Sequence, residues 1–315
     1  MGGGASIVKK RLKVIATLAP IVLFAYNRPW HTKQTIDALL RNDLAAESKL
    51  FIFSDGSKDE SSANSVTQVR RYLKTISGFK SVKIVEQKEN LGLANSIIRG
   101  VTSVCNEHGK VIVLEDDIVT SPHFLSYMNE ALNKYEDDDR VISIHGYVYP
   151  TKEKLPEVFF LRGADCWGWA TWKRGWDLFN LDGEALLDEL KSNKLVKEFD
   201  FDGAYSFSKM LKDQIKGKND SWAVRWYASA FLANKLTLYP GKSLVYNIGN
   251  DNSGSHCGQS SLMDTDLSLT PIICHDVAVE HSKVGSKAFE RFLRKANHSV
   301  LIKVWRRIKM RLGVL

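Results

Sequence analysis

Cysteine is scarce in this 315-residue chain: Cys105, Cys166, Cys257 and Cys274 occur, with no Cys-x-x-Cys spacing. That excludes a zinc ribbon and a disulfide framework and points to a reducing, cytoplasmic compartment. Long apolar runs are missing too, since none reaches the ~20 residues that cross a bilayer. The longest, Val14 to Tyr26, follows Lys9, Lys10, Arg11 and Lys13 and imitates the charged front of a signal peptide. It closes on apolar and aromatic residues and then Asn27-Arg28-Pro29, which reads as a strand entering a loop. The glycine-rich start, Met1 to Ser6, fits a myristoylation pattern in form but reads as an added tag, so residues 1–18 are set apart.

A basic excess is missing from the body of the chain. Lys and Arg number 44 against 36 Asp and Glu, a net +8, yet residues 287–315 hold nine of those cations against the single acid Glu290 and account for all of it. Nucleic acid is therefore not an expected partner, and contact with an anionic membrane is to be sought in the tail. There Leu301, Val304, Trp305, Ile308 and Leu312 share one helical face, with Lys303, Arg306, Arg307, Lys309 and Arg311 around it. Such a basic amphipathic helix either lies on the inner face of a cell membrane or packs on the domain.

What is present is a repeated alternation of short apolar runs and helical patterns. Ile21–Tyr26 precedes Trp30–Arg41, Leu50–Ser54 precedes Ser61–Ile76, Val82–Val85 precedes Leu93–Cys105, and Val111–Leu114 precedes Pro122–Tyr135. The pattern predicts an α/β fold with a mainly parallel sheet flanked by helices and a ligand beyond the carboxyl ends of the strands. Four polar turns follow those strands: Tyr26-Asn27-Arg28, Asp55-Gly56-Ser57, Asn90-Leu91-Gly92 and Glu115-Asp116-Asp117. After Val141–Ile144 the alternation ends, and the stretch from Phe159 to Trp226 carries six of the eight tryptophans, a composition suited to a substrate-shaping subdomain. The expected organisation is a ligand-binding α/β half over 19–145, a substrate-shaping half over 146–286, and the basic tail over 287–315.

Three carboxylates, Glu115, Asp116 and Asp117, end the apolar strand Val111-Ile-Val-Leu. Burying them unpaired is costly. A hard divalent cation, Mg²⁺ or Mn²⁺, held by carboxylate and phosphate oxygens relieves that cost better than zinc would. The denser acidic run Glu136 to Asp139 ends a helical pattern with no apolar strand before it and reads as a solvated face. Asp55 before Gly56 suits a hydrogen bond to a base or ribose, though Asp-Gly is also a common turn. Arg28 suits bidentate contact with a phosphate. Asp220-Ser221-Trp222 opens a helical pattern, so Asp220 reads as an N-cap or as a general base beside a tryptophan wall. His256 lies in the polar loop Asn252 to Gly258 and is either structural or a metal or phosphate ligand.

From about Ile21 to Gly258 these residues resemble the GT-A-fold (Rossmann-like) glycosyltransferases, specifically the N-acetylglucosaminyltransferase I type and bacterial surface-polysaccharide, family 2-like transferases. The most specific piece is Val113-Leu-Glu-Asp-Asp-Ile followed by Ser121-Pro-His-Phe, supported in order by Asn27-Arg28, Ser54-Asp55, Gly168-Trp169, Asp220-Ser-Trp and Ser255-His256. The resemblance implies Arg28 on the donor diphosphate, Asp55 on uracil, Glu115 and Asp116 near ribose and sugar, Asp117 on the metal, His256 near metal or diphosphate, and Asp220 as base. It also implies a UDP-sugar donor and, in the Trp-rich stretch around Trp169, donor-sugar and acceptor contacts. One departure is Leu93-Ala94, where the animal enzymes offer a histidine to the base. The expected function is inverting, metal-dependent transfer of a sugar such as GlcNAc to a glycan or lipid-linked glycan acceptor in bacterial surface-glycan synthesis. The alternatives are a catalytically silent binding scaffold at the membrane and a sugar nucleotidyltransferase. The latter usually carries a Gly-rich loop near the first strand, which Ala25-Tyr-Asn-Arg-Pro lacks.

Overall fold

The computed structural model describes residues 18–251 and 262–311, with side chains as far as residue 297. The βα repeats form as the alternation predicts: β1 (Ile21–Ala25), α1 (Pro29–Leu40), β2 (Lys49–Ser54), α2 (Glu60–Leu73), β3 (Ser81–Glu86), α3 (Leu93–His108), β4 (Lys110–Glu115), a short β5 (Ile118–Thr120) and α4 (Phe124–Lys134). Local chemistry sets the boundaries. Pro29, with no N–H to lose, opens α1. Asp59 caps α2 by accepting from the Ser62 amide at 2.9 Å while the Ser62 hydroxyl takes the Asp59 amide. Gly92, at φ +75°, turns the chain into α3 in a conformation that side chains disfavour.

The second half adds β6 (Val141–His145), β7 (Val158–Arg162), β8 (Trp169–Trp172), the helices α5 (Lys173–Trp176), α6 (Gly183–Ser192), α7 (Val196–Phe199), α8 (Phe207–Ile215) and α9 (Trp222–Leu232), then β9 (Leu236–Pro240), β10 (Val245–Asn247) and α10 (Lys283–Arg311). One eight-stranded sheet, ordered β3-β2-β1-β4-β8-β6-β9-β7, runs through both halves, so the boundary at 145/146 falls inside a shared sheet. Strands β1 to β4 are parallel, β8 is antiparallel between β4 and β6, β9 is parallel to β6, and β7 closes the edge antiparallel to β9. The carboxyl ends of β1, β2, β3, β4, β6 and β9 therefore share one edge. Central β1 is buried throughout and β4 as far as Leu114, which is why both read as unbroken apolar runs.

The tryptophans resolve differently from expectation. Trp169 is 1% exposed and lies 5.6–5.7 Å, ring to ring, from Trp176, Trp222 and Trp226. Alternation along β8 turns Trp169 toward α3 and α9, into the core that covers that face of the sheet. Trp169 is thus corrected from a donor contact to a core residue, and Trp222 and Trp226, likewise buried, build no sugar wall.

The tail helix begins at Lys283, and its described part is docked. Ala288, Phe289, Leu293 and Ala296 are buried, and Gly285 lies against the Phe159 ring so closely that a β-carbon there would come within 2.4 Å of it. Leu301, Val304, Trp305, Ile308 and their basic neighbours lie beyond the described side chains, and Leu312 lies beyond the described residues.

Because Trp169 is a keystone of this aromatic core, Trp169→Ala is expected to cost about 3–5 kcal/mol of stability. A urea-unfolding midpoint equal to that of the parent chain would refute its core role.

Candidate active site

The polar turns at the carboxyl edge are drawn together by a few bonds. Past β1, the Tyr26 amide donates to Asp116 Oδ2 at 3.3 Å. Arg28 stands at the N-cap of α1 without capping it, which leaves its guanidinium to reach the acids. Its Nη2 pairs with Asp116 Oδ1 and with Asp117 Oδ2, the latter at 2.9 Å. Thr35, two helical turns further on, donates to the Asp116 carbonyl at 2.9 Å and fixes α1 against the acidic turn.

The ribbon of β5 with antiparallel β10 closes the turn from the other side. The Ile248 amide donates to the Asp117 carbonyl at 2.9 Å. Gly249 packs so tightly that a β-carbon there would sit 2.1 Å from Asp117 Oδ2 and 3.0 Å from Arg28 Nη1. Asp117 Oδ1 is buried with no hydrogen-bond partner. A buried carboxylate oxygen left without a partner calls for one from outside the chain, an ordered water or an ion.

A sequence profile described as "Glycosyl transferase family 2" matches residues 21–185, which spans β1 through the acidic turn and into α6. The chain belongs to glycosyl transferase family 2. Among solved structures, this transferase is similar to a mannosyltransferase from Pyrobaculum calidifontis in complex with GDP-Man and Mn²⁺, at 14% identity and TM-score 0.31 over 46% of this chain and 43% of that one. It is similar to residues 1–349 of S. aureus TarS at 12% identity and TM-score 0.40, over 73% of this chain and 60% of that one. A UDP-glucose pyrophosphorylase complexed with UDP-glucose aligns at 15% identity and TM-score 0.35, over 71% of this chain and 90% of that one. The transferase thus spans less than two thirds of the first two chains. No curated protein matches it. The assignment rests on the family match.

In this family 2 transferase, Asp55 is fully engaged by its own chain. Its carboxylate accepts from the amides of Gly56 at 2.9 Å, Leu91 at 2.8 Å and Gly92 at 3.0 Å, and from the Asn90 amide side chain at 3.2 Å. Arg70 holds the same corner by donating to the carbonyls of Asp55 and Gln87 at 3.1 and 2.7 Å. Asp55 therefore shapes the loop between β3 and α3, and the groups it binds there were legible only as a polar turn.

Asp220 stands beside that loop, its Oδ2 3.7 Å from where a β-carbon on Gly92 would lie. It does not cap α9. Ser221 does, accepting from the Val224 amide at 3.2 Å, because the helix starts one residue later than the Asp220 reading requires. The correction leaves the exposed Asp220 carboxylate free of a capping bond and beside Gly92, at the carboxyl edge that also holds Arg28 and Asp117. His256 lies outside the described residues.

A residue the sequence reading passed over is His145, at the end of β6. It is fully buried, with neither ring nitrogen hydrogen-bonded and Asp165 Oδ2 3.5 Å from Nε2. Burial lowers its pKa and Asp165 opposes that. A histidine inside an otherwise apolar strand was the available signal. Next to Asp165, burial pushes the Cys166 thiol up, with the charges of Asp165, Glu115 and Asp117 adding to the effect, which ties this turn to the acidic cluster.

Electrostatics separate the acids. Burial works against the charged Arg28, yet Asp116 and Asp117 outweigh it and keep the guanidinium protonated. Burial raises Asp116 above the usual carboxylate range, Arg28 opposes this and Asp117 adds to it. The half-buried Glu115 is pushed up to about 8, first by burial and then by the charges of Asp117 and Asp116. Among the described residues no three His, Cys, Asp or Glu side chains gather around one point. The orphaned Asp117 oxygen and its hard carboxylate neighbours fit Mg²⁺ or Mn²⁺, which would complete its shell with water and the donor's own phosphate oxygens.

A carboxyl whose pKa is raised in the folded state contributes stability that is present below its unfolded value near 4.3 and is lost as pH rises through about 8. Glu115→Gln, which cannot charge, is expected to match the parent chain near pH 4 and to melt a few degrees higher near pH 9, in EDTA. Equal melting temperatures at both pH values would refute the shift.

Proposed function

We propose that this glycosyltransferase moves a hexose, GlcNAc or a close relative, from a UDP-sugar to an acceptor hydroxyl with inversion and with the help of Mn²⁺ or Mg²⁺. The observation that carries this reading is the convergence of Arg28, Asp116 and an Asp117 with an orphaned oxygen on the edge where Asp220 also lies. Arg28 binds the diphosphate with two N–H donors and steadies the charge that grows on it. Asp117 and its neighbours hold the cation, which when bound supplies further neutralising charge. Asp220 accepts the proton of the acceptor hydroxyl while its oxygen bonds to the anomeric carbon and the bond to the diphosphate breaks. A single displacement of this kind inverts the configuration.

The order of its sequence motifs resembles that of bacterial surface-polysaccharide transferases, and a glycan or lipid-linked glycan of the capsule or O-antigen type is the proposed acceptor. Among the described residues no helix is long and apolar enough to cross a membrane. The basic run past residue 298, continuing the docked helix, is the proposed contact with anionic lipid at the cytoplasmic face.

Calorimetric titration with UDP-, GDP-, CMP- and dTDP-sugars, with and without Mn²⁺, tests the reading together with slow donor hydrolysis. One UDP-sugar is expected to bind in a metal-dependent way that Asp117→Ala abolishes, and Asp220→Asn is expected to lower kcat by about 10²–10⁴. Binding by no nucleotide sugar, or an Asp220→Asn kcat within threefold of the parent, would overturn it. Deleting residues 298–315 is expected to remove sedimentation with anionic liposomes, and unchanged sedimentation would refute the tail assignment.

A further inference from the structure

Beside the acidic turn, on the same sheet edge, lies an open groove of about 860 Å³. Its walls are the segment after β6, with Tyr149 and Glu153, the turn after β9, with Lys242, then Tyr246 of β10, and the stretch that contains Asp264 and Asp266. Strands β6 and β9 run parallel to β4, two and three places away in the sheet. At ~4.8 Å per strand the groove opens about 10–14 Å to the side of the acidic turn. Strand β10 joins the two places, since Asn247 pairs with Ile118, next to Asp117, while Tyr246 faces the groove.

The walls are anchored. Tyr149 is stacked on Phe292 of α10 with ring centroids 4.8 Å apart and meets the edge of Phe289 at 4.7 Å. Glu153 pairs with Arg291 of the same helix at 3.0 Å. The Tyr246 hydroxyl is hydrogen-bonded to Asp264. The far wall is tied down by the Tyr147 hydroxyl donating to the Met263 carbonyl at 2.7 Å and Ser121 donating to the Ser268 carbonyl at 2.6 Å.

Aromatic faces suit the C–H faces of sugar rings, and carboxylates accept from sugar hydroxyls. With Arg291 on Glu153, the walls carry three carboxylates against two cations, and the uncompensated acids Asp264 and Asp266 disfavour a polyanion. The dimensions exceed one sugar ring. We propose that this groove binds the neutral, hydroxyl-rich oligosaccharide portion of the acceptor, several sugar units long, and that its acids discriminate against phosphate- or uronate-bearing glycans. The proposal rests on the transferase reading for the identity of the bound glycan as acceptor, while binding itself is measured separately.

The test uses the full chain and ligand-observed NMR with neutral tetrasaccharides of glucose, galactose and N-acetylglucosamine, their monosaccharides, and tetragalacturonate. At least one neutral tetrasaccharide is expected to bind more tightly than its monosaccharide, to lose roughly tenfold in affinity in Tyr246→Ala, and to recover it in Tyr246→Phe. The exposed Asp266→Lys, with an unchanged unfolding midpoint, is expected to gain affinity for tetragalacturonate. No neutral binding, an unchanged affinity in Tyr246→Ala, or a preference of the parent chain for tetragalacturonate would overturn the proposal. Neutral binding that follows these substitutions in a chain that hydrolyses no nucleotide sugar would uphold the groove as a glycan site and remove the transferase reading instead.

Discussion

The fold turns on a charge problem at the end of a buried central strand. Strand β4 delivers Glu115, Asp116 and Asp117 in sequence to an edge where water is scarce, and like charges a few ångströms apart repel by several kcal/mol even at an effective dielectric near 20. One guanidinium answers two of them: Arg28 pairs with both aspartates, and that requirement fixes where α1 begins and how Thr35 meets the turn. What Arg28 leaves over is a Glu115 pushed above the usual carboxylate range by burial and by the charges of Asp117 and Asp116, and one orphaned oxygen on Asp117. In the proposed function that imbalance is what a diphosphate and a divalent cation would answer, since they bring the charges that the acids and Arg28 call for.

The first half of this arrangement was legible in the residues because β1, β2 and β4 are largely buried and its helices are amphipathic, so each period shows. All four predicted turns lie at the carboxyl edge, and α1 to α4 fall within a few residues of the periods that announced them. Legibility fails where side chains of one type serve two ends. Trp169 sits among residues that suit a sugar-binding wall, yet the alternation of a four-residue antiparallel strand turns it inward, and no local pattern announces that β8 slots between β4 and β6. Asp220 and Ser221 are both good caps, and one residue of helix register decides between them.

Asp55 is a third kind of case. The residue type and its place after β2 point to a nucleotide, and its carboxylate instead organises four donors from its own turn and the next loop. Gly92, one of those four, also borders Asp220. The loop between β3 and α3 thus links the Asp55 corner to the proposed base through backbone amides, and only the folded chain reveals such a link.

The ribbon of β5 and β10 has a consequence for how this chain can change over time. A single three-residue strand presents Asn247, with Ile248 and Gly249 after it, to the acidic turn and Tyr246 to the groove. An insertion or register slip that reshaped one wall would drag the other with it, since a shift of one residue exchanges the faces. New acceptor preferences are therefore more readily reached by substitution in the walls after β6 and β9, which touch the groove alone, than by remodelling β10. The ribbon is thus the constrained part of the site, and the outer walls are the part free to change one residue at a time.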